Sequence, residues 1–230
     1  MTQALSDQLK DLALALFDAG AFLDKRRSPD GKGFRLKLHE KDPGAPLSPF
    51  YLNLRTPDNP KPGPLTPELV RAIGAAMYQV VEEGAVPYDA IAGIPRAGEP
   101  FAAAFHAALV GETMPLFHFE KIEEGGTRRI GRLVMPEKRR ARSLLLVDDL
   151  VTGADTKREA VQSAVAQGLW AYHIVVLLDR QQGGSADLLK EGIRVWSCFT
   201  IRDLLWLYVE AGRITHDDYV EITSYLDAAA

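Results

Sequence analysis

The sequence predicts an α/β fold, a parallel sheet with helices on both faces, preceded by a small N-terminal hood. Three observations carry that prediction. From Thr66 onward short apolar runs alternate with helical stretches, the pattern of a parallel sheet covered on both sides. Before Thr66 the chain is rich in aromatics and proline and lacks that alternation. With 230 residues, 47% of them hydrophobic and 25% charged, the chain is long enough for a substantial buried core.

In the N-terminal part, apolar residues at 5, 9, 12, 14, 16 and 17 lie broadly on one helical face, with Ser6 or Thr2 as cap and Gly20 as terminator. Phe34-Arg35-Leu36-Lys37-Leu38 and Phe50-Tyr51-Leu52-Asn53-Leu54 alternate like strands. Five prolines from Pro57 to Pro67 imply a stiff, extended connection, so residues 1–64 form the hood and residues 65–230 the α/β core.

The core opens with Thr66-Pro67-Glu68, a capping hydroxyl followed by proline at the first helical position, and that helix reaches about Gly84. A buried strand (Tyr88 to Ala92), the turn Gly93-Ile94-Pro95-Arg96-Ala97-Gly98 and an alanine-rich helix follow. Met114 to Phe119 reads as a strand, and the charged, glycine-containing stretch Glu120 to Arg132 as a mobile loop. Ser143 to Val147 is a wholly apolar strand, followed by a helix from Gly153 to Gln167. Ile174 to Leu178 and Ile193 to Phe199 are further buried strands, and Ile201 to Leu226 holds two helices broken near Gly212.

A net charge of −4 argues against nucleic-acid binding through bulk electrostatics. One cysteine, Cys198, sits in an apolar run and reads as a packing residue rather than a nucleophile or metal ligand. No apolar stretch reaches the roughly 18 residues of a membrane span. Residues 1–10 lack a secretory pattern, which makes the cytoplasm the expected location.

Ligands of parallel sheets collect at the carboxyl ends of the strands. Two turns there carry suitable residues: Gly93 to Gly98 and Asp148 to Thr156. In the second, an apolar strand runs into Asp148-Asp149, then Thr152, Gly153, Ala154, Asp155 and Thr156 open a helix. Backbone N–H groups and the helix dipole favour an anion at such a turn, and both threonine hydroxyls can donate to it. Two carboxylates beside the nest would repel a phosphate, which suggests contacts to sugar hydroxyls or to a hard cation such as Mg2+. The acids could equally cap the following helix. A P-loop reading fails for want of any Gly-x-x-x-x-Gly-Lys turn.

Val147-Asp148-Asp149-Leu150-Val151-Thr152 resembles the phosphoribosyl-pyrophosphate signature of type I phosphoribosyltransferases. Ser48-Pro49-Phe50-Tyr51-Leu52-Asn53-Leu54-Arg55 and Leu178-Asp179-Arg180-Gln181-Gln182-Gly183-Gly184 are similar to stretches of the orotate phosphoribosyltransferases within that family. The resemblance implies transfer of ribose 5-phosphate from phosphoribosyl pyrophosphate to orotate, with Mg2+ at Asp148 and Asp149, by a homodimer. A ligand-binding homologue without catalysis, or a transferase for another base, are the alternatives. It further implies Lys37 near base and pyrophosphate, Phe50 and Tyr51 flanking the base, and Arg180 pairing with the orotate carboxylate. Arg96 would serve a pyrophosphate loop and Lys121 a catalytic loop. By themselves, Phe50 and Tyr51 suit core packing, Arg180 a surface ion pair with Asp179 or Asp187, and the Gly93–Gly98 turn a plain tight turn. The sequence departs from the family at Ala154, which stands where glycine is usual, and at Asp155, which adds negative charge beside the nest. It also departs in the expected loop, where Glu120, Glu123 and Glu124 accompany Lys121.

Overall fold

In the computed structural model the described residues are 5–36, 39, 42–109, 114–124, 127–135 and 141–228. They form two compact units. The first comprises residues up to Leu69 together with those from Ile201 onward, and the second Val70 to Thr200.

Helix α1 (Asp7–Asp18) starts at Ser6, whose hydroxyl accepts from Leu9 N, and buries Leu12, Ala13, Leu16 and Phe17. Strands β1 (Phe22–Asp24) and β2 (Phe50–Leu52) pair antiparallel, Leu23 opposite Tyr51. The first unit closes with helices α6 (Ile201–Glu210) and α7 (His216–Ala228). Its core is aromatic. Tyr208 of α6 meets Phe17 edge-on at 4.9 Å and Phe22 at 5.2 Å, and Phe22 stacks on Phe50 at 6.0 Å. The Tyr208 hydroxyl donates to Ala13 O at 3.1 Å, satisfying the one polar atom of a fully buried ring. The expected division at residue 64 is corrected accordingly: the C-terminal helices group with the N-terminal segment because these rings need one another to leave water.

The expected strand at Phe34–Leu38 also changes. Phe34 makes an isolated antiparallel bridge to Ser48, and residues 37 and 38 lie outside the described residues. The short strand Phe22–Asp24 takes the place beside β2, three residues being too few for a readable alternation.

Thr66 Oγ1 accepts from Leu69 N at 3.3 Å and starts α2 (Pro67–Glu83), which continues into the second unit. That unit contains β3 (Ala90–Gly93), α3 (Gly98–Ala108), β4 (Leu116–Glu124), β5 (Thr127–Val134), β6 (Ser143–Val151), α4 (Asp155–Val165), β7 (Trp170–Asp179), α5 (Gly184–Lys190) and β8 (Arg194–Thr200). The sheet order is β5-β4-β3-β6-β7-β8, parallel except for the antiparallel β4–β5 pair. From β3 the chain moves outward to β4, then returns across β3 to β6 and proceeds to β7 and β8. The direction therefore reverses between β3 and β6, where open α/β sheets open a crevice at the strand ends.

The region expected as a mobile loop is instead the β4–β5 hairpin, with Lys121 opposite Ile130 and Ile122 opposite Arg129. Its physical reason lies in a period-2 pattern: Phe117, Phe119 and Leu133 point into the core while His118, Glu120 and Arg132 are exposed. Helix α4 secures the hairpin, with Ile130 N donating to the Glu159 carboxylate at 3.0 Å and Ser163 Oγ to Gly131 O at 2.7 Å. Cys198 is buried on β8, and burial pushes its thiol up to about 12, as suits a packing residue.

Candidate active site

Three strand ends meet at the carboxyl edge of the sheet. The first turn runs from β3 through Ile94, Pro95, Arg96 and Ala97 into α3. Ile94 N donates to Val147 O at 2.8 Å, binding this turn to β6. Gly98 packs so closely there that a Cβ would stand 2.1 Å from Val147 O, and at Gly93 one would stand 2.6 Å from Glu99 Cα. Glycine is required at both places because backbone meets backbone. Arg96 is exposed on the turn, and the Pro95–Arg96 peptide is cis.

The second turn follows β6. Asp148 and Asp149 belong to the strand itself rather than to the turn, since pairing to β7 extends through Asp148–Val176 and Val151–Asp179. Beyond them Thr152, Gly153 and Ala154 lead into α4. Ala154 takes an ordinary helical conformation (φ −91°, ψ −23°), so the alanine that replaces the family's glycine meets no left-handed requirement. No side chain caps the helix, which leaves its first N–H groups facing the turn. Gly153 has open space where a Cβ would be, with nothing within 4 Å. Thr152 is partly buried, while Asp155 and Thr156 are exposed.

The third turn follows β7. Arg180 N donates to Val151 O at 3.0 Å, and Gly184 N to Thr152 O at 3.0 Å. A Cβ on Gly184 would lie 2.5 Å from that same carbonyl oxygen, so the β7–α5 loop rests directly on the β6–α4 turn. Gln181 (φ 54°) and Gly183 (φ 91°) supply the left-handed bends of this loop, and Asp179 accepts from Gln181 N at 2.7 Å. Arg96, Thr152 and Arg180 thus stand on three turns joined by backbone hydrogen bonds.

The two acids have different surroundings. Asp148 is buried and its Oδ2 accepts from Lys157 Nζ at 2.5 Å, and the same ammonium donates to Leu150 O at 2.6 Å. Lys157, in the first turn of α4, is itself only 6% exposed. Asp149 is partly exposed, and its carboxyl is pushed up to about 7, first by burial and then by the charge of Asp148; Lys157 opposes the shift. Of the two acids expected at Mg2+, Asp148 is paired here with an internal cation, Lys157. Among the described residues no group of three or more His, Cys, Asp or Glu could hold a metal ion. One accessible carboxylate, Asp149, suits a magnesium that keeps its waters and arrives with substrate phosphates.

The charge at Asp155 is also answered. Its carboxylate points to solvent and pairs with Arg158 at 3.0 Å, and Arg158 in turn binds Glu191 through two nitrogens at 2.6–2.9 Å.

In the first unit, Phe50 is 1% exposed and packed on Phe22, so the expectation that it flanks a base is corrected: its faces are occupied. Tyr51 points the other way, partly buried, with its ring 5.6 Å from Phe34. Lys37 lies outside the described residues, as does the side chain of Lys121, whose backbone belongs to β4. Lys157 is the residue that sequence reasoning missed. Its only signal was a lysine in the first turn of a helix, where the dipole disfavours a cation, nine residues after an acid.

A strand-to-helix nest open to an anion, with a carboxylate before it and arginines on both neighbouring turns, describes a sugar-phosphate site. Residues 65–202 match the phosphoribosyl transferase domain family, and the protein is accordingly a phosphoribosyltransferase, an enzyme. The chain is 31% identical over 180 residues to the orotate phosphoribosyltransferase of Saccharolobus solfataricus, covering 78% of this chain and 85% of that one. It belongs to the orotate phosphoribosyltransferase family. Among solved structures it resembles the UMP synthase of Leishmania donovani, with a TM-score of 0.72, 25% identity and 97% of this chain covered. The chain spans 43% of the length of that protein. Its fold is also that of the orotate phosphoribosyltransferase of Francisella tularensis, with a TM-score of 0.68 at 16% identity over 99% of this chain and 98% of that one.

Proposed function

We propose that this enzyme transfers ribose 5-phosphate from phosphoribosyl pyrophosphate to a ring nitrogen of orotate, releasing pyrophosphate, in pyrimidine nucleotide synthesis. The observation that carries the reading is the junction of the β6 and β7 turns: Val151 O and Thr152 O accept from Arg180 N and Gly184 N, each at 3.0 Å. A phosphate nest and a guanidinium for a planar carboxylate are thereby built on one backbone support.

In this reading the 5-phosphate sits at Thr152–Thr156, receiving the free N–H groups of α4 and both threonine hydroxyls. Asp149 meets the ribose hydroxyls. Arg96 faces the pyrophosphate. The bond from anomeric carbon to pyrophosphate breaks with positive charge developing on the ribose, so the protein acts by holding both phosphate groups and aligning the base. Mg2+ would enter with the pyrophosphate, beside Asp149, and neutralise the departing charge. Tyr51, Lys37 and Lys121 are assigned to base and pyrophosphate on the family resemblance, which also supports a homodimer. Among the described residues no helix is long and apolar enough to cross a membrane.

Purified protein supplied with orotate, phosphoribosyl pyrophosphate and Mg2+ is expected to consume orotate and release pyrophosphate. Arg180→Gln should raise the KM for orotate at least tenfold, on the order of 1.4 kcal/mol, and leave the KM for phosphoribosyl pyrophosphate near the parent value. Folded protein that leaves orotate untouched removes the assignment, and a panel of other bases then identifies the acceptor.

A further inference from the structure

We propose that Lys157 is a positioning residue of the ribose-phosphate site. It locks Asp148 into an internal ion pair that screens one carboxylate from the phosphate and leaves Asp149 as the acid facing the ligand. This rests on the proposed function for the identity of the ligand and on the geometry for everything else.

Two adjacent carboxylates ahead of a phosphate nest pose an electrostatic problem, because a bound phosphate beside them would be repelled through a partly desolvated medium. The ion pair resolves it. Asp148 and Lys157 are both nearly inaccessible, and the ammonium lies 2.5 Å from the carboxylate and 2.6 Å from Leu150 O. A lysine in the first turn of a helix opposes the helix dipole, and burial adds a desolvation cost. Neither fits a solvated surface lysine. Both are offset where Lys157 stands, because two acceptors from β6 converge on one nitrogen. The contact also ties the start of α4 to the strand carrying the acids, nine residues back in the chain. The N–H groups that receive the phosphate and the carboxylate that meets the ribose are thereby held in one frame. Asp155, the other acid beside the nest, has Arg158 as its partner. Asp149 is the acid of the three without a cation in hydrogen-bonding contact among the described ion pairs.

The test compares the parent protein with Lys157→Met, Lys157→Arg and the paired replacement Asp148→Leu with Lys157→Met. Thermal unfolding and calorimetric affinity for phosphoribosyl pyrophosphate are read for each. Lys157→Met leaves Asp148 unscreened, and the affinity is expected to fall about tenfold or more. Lys157→Arg, which restores the cation, should recover most of that loss. The paired replacement removes both charges and puts an apolar contact between α4 and β6 in place of the ionic tie, so it should bind within about threefold of the parent. Folded Lys157→Met that binds as the parent does overturns the inference. So does a paired variant with parental melting behaviour whose affinity stays at the Lys157→Met level, because Asp148 would then touch the ligand. Should Lys157→Met fail to fold, the paired variant against the parent decides alone. Binding of phosphoribosyl pyrophosphate without transfer to orotate would defeat the proposed activity and leave this inference standing, since affinity is its readout.

Discussion

The turn after β3 and the turn after β6 are built on the same plan, a buried parallel strand passing through glycine into a helix, yet their glycines serve different ends. At Gly93 and Gly98 an added Cβ would strike backbone at 2.6 and 2.1 Å. At Gly153 it would meet nothing within 4 Å. The first pair is demanded by packing within the protein, whereas Gly153 is exposed with open space before it, the space that the proposed function gives to the phosphate. None of the three relies on positive φ. Glycine spacing alone therefore cannot tell a packed turn from an open one; what surrounds the missing side chain does.

The comparison makes unequal predictions. Gly98→Ala should have the largest effect, because Val147 O cannot yield without breaking the junction of β3 and β6. A loss of roughly 3 kcal/mol in urea unfolding, or failure to fold, is expected. A stability change within about 0.5 kcal/mol would show the close approach to be unimportant.

Asp149→Asn comes next and separates function from stability. The carboxyl of Asp149 rises to about 7 in the folded protein from an ordinary 3.8, so folding favours its protonated form. Its contribution to stability is fully present below about pH 4 and is lost as pH rises through about 7. Asparagine stays neutral, so the variant should melt several degrees above the parent at pH 8, the gap closing as pH approaches about 4. Activity should meanwhile fall by about a hundredfold or more, the cost of removing a charge placed for the ligand. A variant no more stable than its parent at pH 8 would show that the Asp149 charge is not held at a cost.

Gly153→Ala should do least to the fold and most to one equilibrium. Its backbone is already compatible with alanine and its surroundings are empty, so unfolding free energy should stay within about 0.5 kcal/mol of the parent. A methyl group in the phosphate space should nonetheless weaken phosphoribosyl pyrophosphate binding by about tenfold. Unchanged affinity in calorimetry would mean the space at Gly153 is not the phosphate site.

Much of the second unit was legible because its signals are one-dimensional. Leu144 to Val147 and Ile174 to Leu178 are apolar without interruption, which only a strand covered on both faces tolerates. Thr66-Pro67-Glu68 announces its helix through local chemistry. What escaped depends on distance along the chain. Lys157 reads as a surface lysine until β6 is seen to deliver Asp148 and Leu150 O to it. Phe50 and Tyr51 look interchangeable until the pairing with Phe22 and Leu23 decides which ring enters the core. In Glu120–Arg132 the dense charge masked the alternation that makes β4 and β5, because exposed faces of an edge hairpin carry charge as readily as loops do. The grouping of Tyr208 with Phe17 and Phe22 joins positions nearly two hundred residues apart, and no window of sequence contains both ends of that contact.

That last grouping sets an order on biosynthesis. The first unit takes its core from both ends of the chain, so Phe17 and Phe22 leave the ribosome long before α6 exists to cover them. At about 5–20 residues per second, the intervening Val70–Thr200 takes roughly 7–26 s to be synthesised. During that time Phe17 and Phe22 are without the Tyr208 ring that packs against both of them in the folded unit.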